Sequence, residues 1–188
     1  MAAKKEWRQW QQIGVPDAQI LTEKRKWFRK IEQCLDKGEY GANWLEDDRI
    51  AKVVWESLLY RHEKQFDLDC FCIMPNHVHL IFRHFIKEQV RPDADFLRQS
   101  LQGIQHSWKR FTARKGNQIL GRKGSFWARE SFDHMIRNPE SYVKLVNYVL
   151  QNPVKAGLEK TWQAWPWTWL NPKWKARIIE ESDNRTQS

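Results

Sequence analysis

The stretch Met74-Pro75-Asn76-His77-Val78-His79-Leu80-Ile81-Phe82 decides how this chain reads, because it sets two imidazoles two residues apart in an apolar, strand-like run. Side chains of an extended chain alternate faces and rise about 3.3 Å per residue, so His77 and His79 point the same way, roughly 7 Å apart. One divalent cation fits between them. Val78, Leu80 and Phe82 then fill the opposite face, and Pro75-Asn76 reads as a tight turn after Phe71-Cys72-Ile73-Met74. Histidine is commonly half-buried without any ligand, so the couple gains meaning only if the chain supplies a third ligand and a reactive group.

A helix further along offers both. Asn138-Pro139-Glu140 is a helix start: asparagine caps free amides, proline suits the first turn, and glutamate complements the positive end. The spacing predicts a helix to about Asn152, with Tyr142, Leu145, Val146, Val149 and Leu150 as the stripe that faces the sheet. Tyr148 and Asn152 fall together on the flank of that stripe, one turn apart. Two imidazoles, a carbonyl oxygen and a hydroxyl can then meet. A cation there polarises a phosphate oxygen, while the phenolate attacks phosphorus and stores the bond as a phosphotyrosine ester. Read by themselves, Tyr148 is a surface tyrosine and Asn152 a cap ahead of Pro153.

Elsewhere the periodicity predicts an amphipathic basic helix over 17–37, a second from Asp48 to about His62 and a third over about 94–112. Ala113 to Gly124 reads as a glycine-rich basic loop of the kind that grips phosphates, or as an ordinary solvated one. Phe126 to Ile136 reads as a strand.

The totals bound the function. A chain of 188 residues, 41% hydrophobic, is large enough to bury one self-standing core and too short for a second full domain. Its formal charge of +9 and pI near 9.6 favour a polyanionic partner such as nucleic acid. Twelve tryptophans supply flat rings on which unpaired bases stack, or, more plainly, packing. Cys34, Cys70 and Cys72 are odd in number and lack a disulfide-framework spacing, which implies a reducing compartment. Cys70 and Cys72 share one strand face, which admits a zinc site beside simple core filling. The start, Met1-Ala2-Ala3-Lys4-Lys5-Glu6-Trp7, has no apolar signal core, and no run nears the roughly 18 apolar residues of a membrane span. A cytoplasmic protein that engages no membrane is expected.

Three segments, taken jointly, resemble the IS200-like single-tyrosine HUH transposases, and within them the REP-associated tyrosine transposase subgroup. They are Ile73 to Leu80; Gly121-Arg122-Lys123-Gly124-Ser125-Phe126-Trp127 continuing through Asp133-His134-Met135-Ile136-Arg137; and Asn147-Tyr148-Val149-Leu150-Gln151-Asn152-Pro153-Val154-Lys155-Ala156-Gly157-Leu158. A Trp165-Pro166-Trp167 tail closes the similarity. The resemblance implies an α+β fold, a ferredoxin-like antiparallel sheet flanked by helices. It also implies a first strand in mid-sheet, for which residues 1–20 show no pattern. The domains are expected as a basic helical extension over 1–45, the transposase domain over 46–170 and a tail over 171–188.

In this family Tyr148 is the implied nucleophile, and His77, His79 and Asn152 the ligands of Mg2+ or Mn2+. The implied activity is a metal-dependent endonuclease and strand transferase on single-stranded DNA bearing hairpins (REP-like palindromes), working through a 5′-phosphotyrosine as a monomer or homodimer. From charge and neighbouring motifs, Lys109, Arg110, Arg114, Lys115, Arg122, Lys123 and Arg129 are the candidates for backbone contacts. The competing reading is a catalytically silent, transposase-derived DNA-binding protein; generic RNA binding fits less well, since two histidines stand where stacking rings would be wanted.

Overall fold

Helix α1 (Asp48–Arg61) starts where an acid precedes an apolar stripe: the Asp47 carboxylate accepts the free Arg49 N–H at 3.0 Å. Its stripe, Ile50, Ala51, Val54 and Leu58, is wholly buried. The computed structural model describes residues 41–85, 94–128 and 138–174 with Leu35, Ser131, Met135 and Ile136, and only the backbone of 94–100. The chain divides into two compact units, Met1–Tyr40 and Gly41–Ser188, and every element below lies in the second.

After α1, strand β1 (Phe66–Ile73) turns at Met74–His77, where the Met74 N–H donates to the His77 carbonyl at 2.8 Å, and returns as β2 (Val78–His84). Helices α2 (Ala94–Ile119) and α3 (Pro139–Lys155) follow, and β3 (Thr168–Leu170) closes the order. All strand pairs are antiparallel, in the order β2-β1-β3. This is the α+β class with a helix-flanked antiparallel sheet that the sequence implied.

Because β1 is central, both its faces are covered, and its second half, Cys70 to Ile73, reads as the continuous apolar run of a buried strand, while Asp67 and Asp69 interrupt the first half. On one face α1 packs with Phe66, Leu68, Phe71 and Ile73, joined by Trp108 and Phe126. On the other, Val146, Val149 and Leu150 of α3 meet Cys70, Cys72, Met74 and Ile81. Each such side chain, fully buried, stabilises the fold by about 1.5–3 kcal/mol. A bulge at Asp69 breaks the register between Leu68 and Cys70. Asn171 satisfies the freed carbonyls: its N–H donates to Asp69 O and its Nδ2 to Leu68 O, each at 2.8 Å.

Three sequence expectations are corrected. Helix α2 continues to Ile119 instead of ending near 112, so residues 113–119 are helical and the basic loop shrinks to the turn around Gly121–Gly124. Ala113 and Ile119 pack on the core, and Gly116 lies beneath the Phe126 ring. The described residues of 126–136 form no strand. Phe126 and Trp127 are consecutive yet both turn into the core, against Trp44 at 4.9 Å and Trp108 at 5.2 Å between ring centroids, which a strand's alternation forbids. Helix α3 passes through Pro153 to Lys155 and ends in a Schellman motif: Leu158 N–H donates to Pro153 O at 2.9 Å and Gly157 N–H, with φ 70°, to Val154 O at 3.0 Å. The expected helix over 17–37, apart from helical Leu35, and the question of a first strand in 1–20 lie outside the described residues.

Candidate active site

The Pro75-Asn76 turn ends with His77, one residue ahead of β2, and His79 follows opposite Cys72 in the ladder. Both rings face α3. They lean together until their Nε2 atoms are 2.8 Å apart, with ring planes at 90°. Asn76 Oδ1 lies 2.7 Å from His77 Nδ1. A carbonyl oxygen only accepts, so the proton of His77 sits on Nδ1 and its Nε2 keeps the lone pair. Asn76 is thus an orienting group that the spacing of the histidines did not single out, though it directly precedes them.

Burial pulls the His77 imidazole down to about 4. His79 falls well below its ordinary range, chiefly through burial, with the charges of His77 and Lys155 adding to the effect. Near neutral pH both rings are therefore uncharged, as metal ligands must be.

Helix α3 carries the other half of the site. Asn138, its N-cap, accepts the Ser141 N–H at 2.8 Å, and the Val146, Val149 and Leu150 stripe presses the helix onto the sheet. This sets the Tyr148 ring nearly perpendicular to that of His79, at 5.6 Å between centroids, so one chain brings His77, His79 and Tyr148 together. Asn152, one turn on, is 1% exposed; its Nδ2 donates to Tyr148 O at 2.8 Å, while its Oδ1 has no hydrogen-bond partner among the described residues. A buried carbonyl oxygen without a partner, one turn from a phenol that adjoins two neutral imidazoles, suits a divalent cation that accepts oxygen and nitrogen donors. Lys155 stands over the Tyr148 ring, Nζ 4.3 Å from its centroid.

Tyr142 is the other tyrosine of α3, and its surroundings differ. Burial, then the neighbouring Asp69 carboxylate, push its phenol far up, which keeps it protonated. Asp69 is itself buried, accepting Trp174 Nε1–H at 2.9 Å and pairing with Arg83 at 3.3 Å. Tyr142 thus belongs to the packing between α3 and the bulge.

The basic candidates divide. Arg110, Arg114 and Lys115 are exposed on α2 and Lys123 on the following turn. Lys109 Nζ donates to Ser131 Oγ at 2.6 Å. Arg122 stacks on Trp44, 4.0 Å from the ring centroid, and donates to Asn117 Oδ1 at 2.8 Å and Ser125 O at 3.1 Å. Arg129 lies outside the described residues. A separate group, His62, Glu63 and Asp67, brings ligand atoms within 4.8 Å of one another. Lys173 already pairs with Glu63 at 3.5 Å, and Leu68 N–H donates to His62 Nδ1 at 3.1 Å. Among the described residues no helix is long and apolar enough to cross a membrane.

No protein-family model matches the chain. It is 25% identical over 122 residues to a Haemophilus influenzae protein with the provisional name REP-associated tyrosine transposase, covering 62% of this chain and 65% of that one. An uncharacterized protein of the same organism is 31% identical over 120 residues, covering 55% and 63%. The Escherichia coli REP-associated tyrosine transposase is 24% identical over 108 residues, covering 57% and 56%. The chain therefore spans less than two thirds of the length of each of these relatives. A solved structure of a REP-associated tyrosine transposase bound to a REP hairpin has a TM-score of 0.42 at 21% identity, covering 68% of this chain and 67% of that one. In sequence the chain is similar to proteins named REP-associated tyrosine transposases.

Proposed function

We propose that this chain is a metal-dependent endonuclease and strand transferase acting on single-stranded, hairpin-bearing DNA through Tyr148. The observation that carries the reading is the convergence, within one chain, of the His77–His79 couple and the Tyr148 ring, 5.6 Å from His79. His77, His79 and Asn152 would hold Mg2+ or Mn2+, which when bound supplies Lewis-acid polarisation of a phosphate oxygen. Tyr148 loses its proton to solvent and its oxygen attacks phosphorus. The P–O3′ bond breaks, the departing oxygen takes up a proton, and the 5′ end remains on the enzyme as a phosphotyrosine. A 3′ hydroxyl from another strand reverses the exchange and frees the phenol, so no external energy source is needed. Exposed Arg110, Arg114, Lys115 and Lys123 hold the DNA backbone, a contribution that weakens with salt.

The test is covalent capture of a labelled single strand carrying a palindromic hairpin, incubated with Mn2+ and resolved under denaturing conditions. The expected result is an adduct that vanishes in Tyr148→Phe while oligonucleotide binding stays within about twofold. Salt-sensitive binding with no adduct from the unaltered protein would instead assign a catalytically silent, transposase-derived DNA-binding protein.

A further inference from the structure

Tyr148, Asn152 and Lys155 occur at i, i+4 and i+7 of α3, so at about 100° per residue they fall within about 60° of one another on one helix face. Lys155 is the last residue of that helix, where a cation ordinarily serves the exposed carbonyls. Here those carbonyls are already occupied: Ala156, Gly157 and Leu158 N–H groups bond Asn152 O, Val154 O and Pro153 O at 2.9, 3.0 and 2.9 Å. Nor does a carboxylate claim the ammonium among the described residues. The side chain instead leans back along the helix, with Nζ 4.3 Å from the Tyr148 ring centroid, while remaining solvent-exposed. A ring face attracts the charge without using the three N–H donors, which stay available for a ligand. Its field also reaches His79, whose proton affinity it lowers.

We infer that Lys155 is a further catalytic residue, whose ammonium holds a non-bridging oxygen of the scissile phosphate against the Tyr148 hydroxyl. The inference rests on the function proposed above. In a near-attack arrangement phosphorus lies about 3–3.5 Å from the attacking oxygen. An ammonium over the ring of that same phenol can then reach a non-bridging oxygen at about 2.7–2.9 Å, the length of a charge-assisted hydrogen bond. The His79 ring meets the Tyr148 ring at 84° between planes, and Lys155 stands over the Tyr148 ring. On this assignment the couple serves one non-bridging oxygen and the ammonium the other. The ammonium, together with a cation that the couple would hold, counters the charge that gathers on the phosphoryl oxygens during transfer.

The test uses the full chain, Mn2+ and hairpin oligonucleotides in which sulfur replaces each of the two non-bridging oxygens in turn. Lys155→Ala is expected to slow adduct formation about 10²-fold, the scale of losing one preorganised donor. Binding of the oligonucleotide and the melting temperature should hardly change, and Lys155→Arg should recover part of the rate. The penalty for one sulfur diastereomer should shrink in Lys155→Ala while that for the other persists. A wild-type rate in Lys155→Ala, or a slower rate with both sulfur penalties intact, overturns the assignment and leaves the proposed function standing. An unaltered protein that forms no adduct at all removes both.

Discussion

His77 and His79 hold their Nε2 atoms 2.8 Å apart, with the proton of His77 pinned on Nδ1 by Asn76, so the short contact is a hydrogen bond from His79 Nε2–H to His77 Nε2. That proton occupies the place where a cation would bind, and metal uptake must move it to the other nitrogen of His79 or to solvent. Addition of Mn2+ to the DNA-free protein is expected to raise the melting temperature, by the equivalent of about 2.7 kcal/mol at a hundredfold excess over Kd. His79→Gln should lose that gain. Equal shifts in both proteins would place the metal elsewhere, with the His62, Glu63 and Asp67 group the first to examine.

The same couple makes stability depend on pH. Folded His77 has its pKa at about 4 against an ordinary 6.5 because of burial, and His79 shifts the same way. Between those values the unfolded chain binds more protons than the folded one, so unfolding becomes easier as pH falls. The contribution is complete above about pH 6.5 and is lost progressively down through about pH 4. Thermal melts from pH 7.5 to 4.5 should fall more steeply for the wild type than for His77→Gln. Parallel curves would mean that the imidazole is not desolvated as its surroundings indicate.

How far the sequence could be read follows from these residues. The histidine couple and the Tyr148–Asn152 pair were readable because a strand's alternation and a helix's turn fix which side chains point together over short spans, before any tertiary contact forms. Where distant residues decide a segment's state, local pattern failed. Residues 113–119 carry a glycine and two cations, yet they stay helical where Phe126 folds back onto Gly116. Phe126 to Ile136 has a strand's composition, but its first rings go to Trp44 and Trp108. Strand β3 is three residues long, and its place depends on contacts such as Trp165 Nε1–H to Ile73 O, 92 positions apart, at 2.9 Å. The Lys155 side chain carries no motif of its own beyond lying two turns after Tyr148.

Gly116 offers a test of that fold-back. Inside α2, alanine would ordinarily gain about 1 kcal/mol over glycine. Here a Cβ would meet Phe126 Cε2 at 2.5 Å, and that ring is wedged between Trp44 and Trp127, with centroids at 4.9 and 5.1 Å. Overpacking therefore outweighs propensity, and Gly116→Ala should destabilise the protein by about 1–3 kcal/mol in urea unfolding. Gly103, with nothing within 4 Å of its would-be Cβ, is the control: Gly103→Ala should stabilise. Stabilisation at both positions would show that Phe126 does not pack as described.

Asn152 separates a structural role from a ligand role. Its Nδ2 holds Tyr148 O at 2.8 Å, which any helix-packing account explains, but the bare Oδ1 has no such account. Asn152→Asp keeps the shape, swaps the donor for an acceptor facing that carbonyl, and buries a charge. The metal-free protein should therefore lose about 2–4 kcal/mol, on the scale of an unpaired buried ionic group. A cation at His77 and His79 would find a stronger ligand in the carboxylate, so Mn2+ should restore more stability to this variant than to the wild type. Asn152→Ala lacks both Oδ1 and Nδ2 and should be destabilised with a smaller response to Mn2+. If Mn2+ leaves Asn152→Asp no better off than Asn152→Ala, the side chain is a packing residue and the cation, wherever it binds, does not touch it.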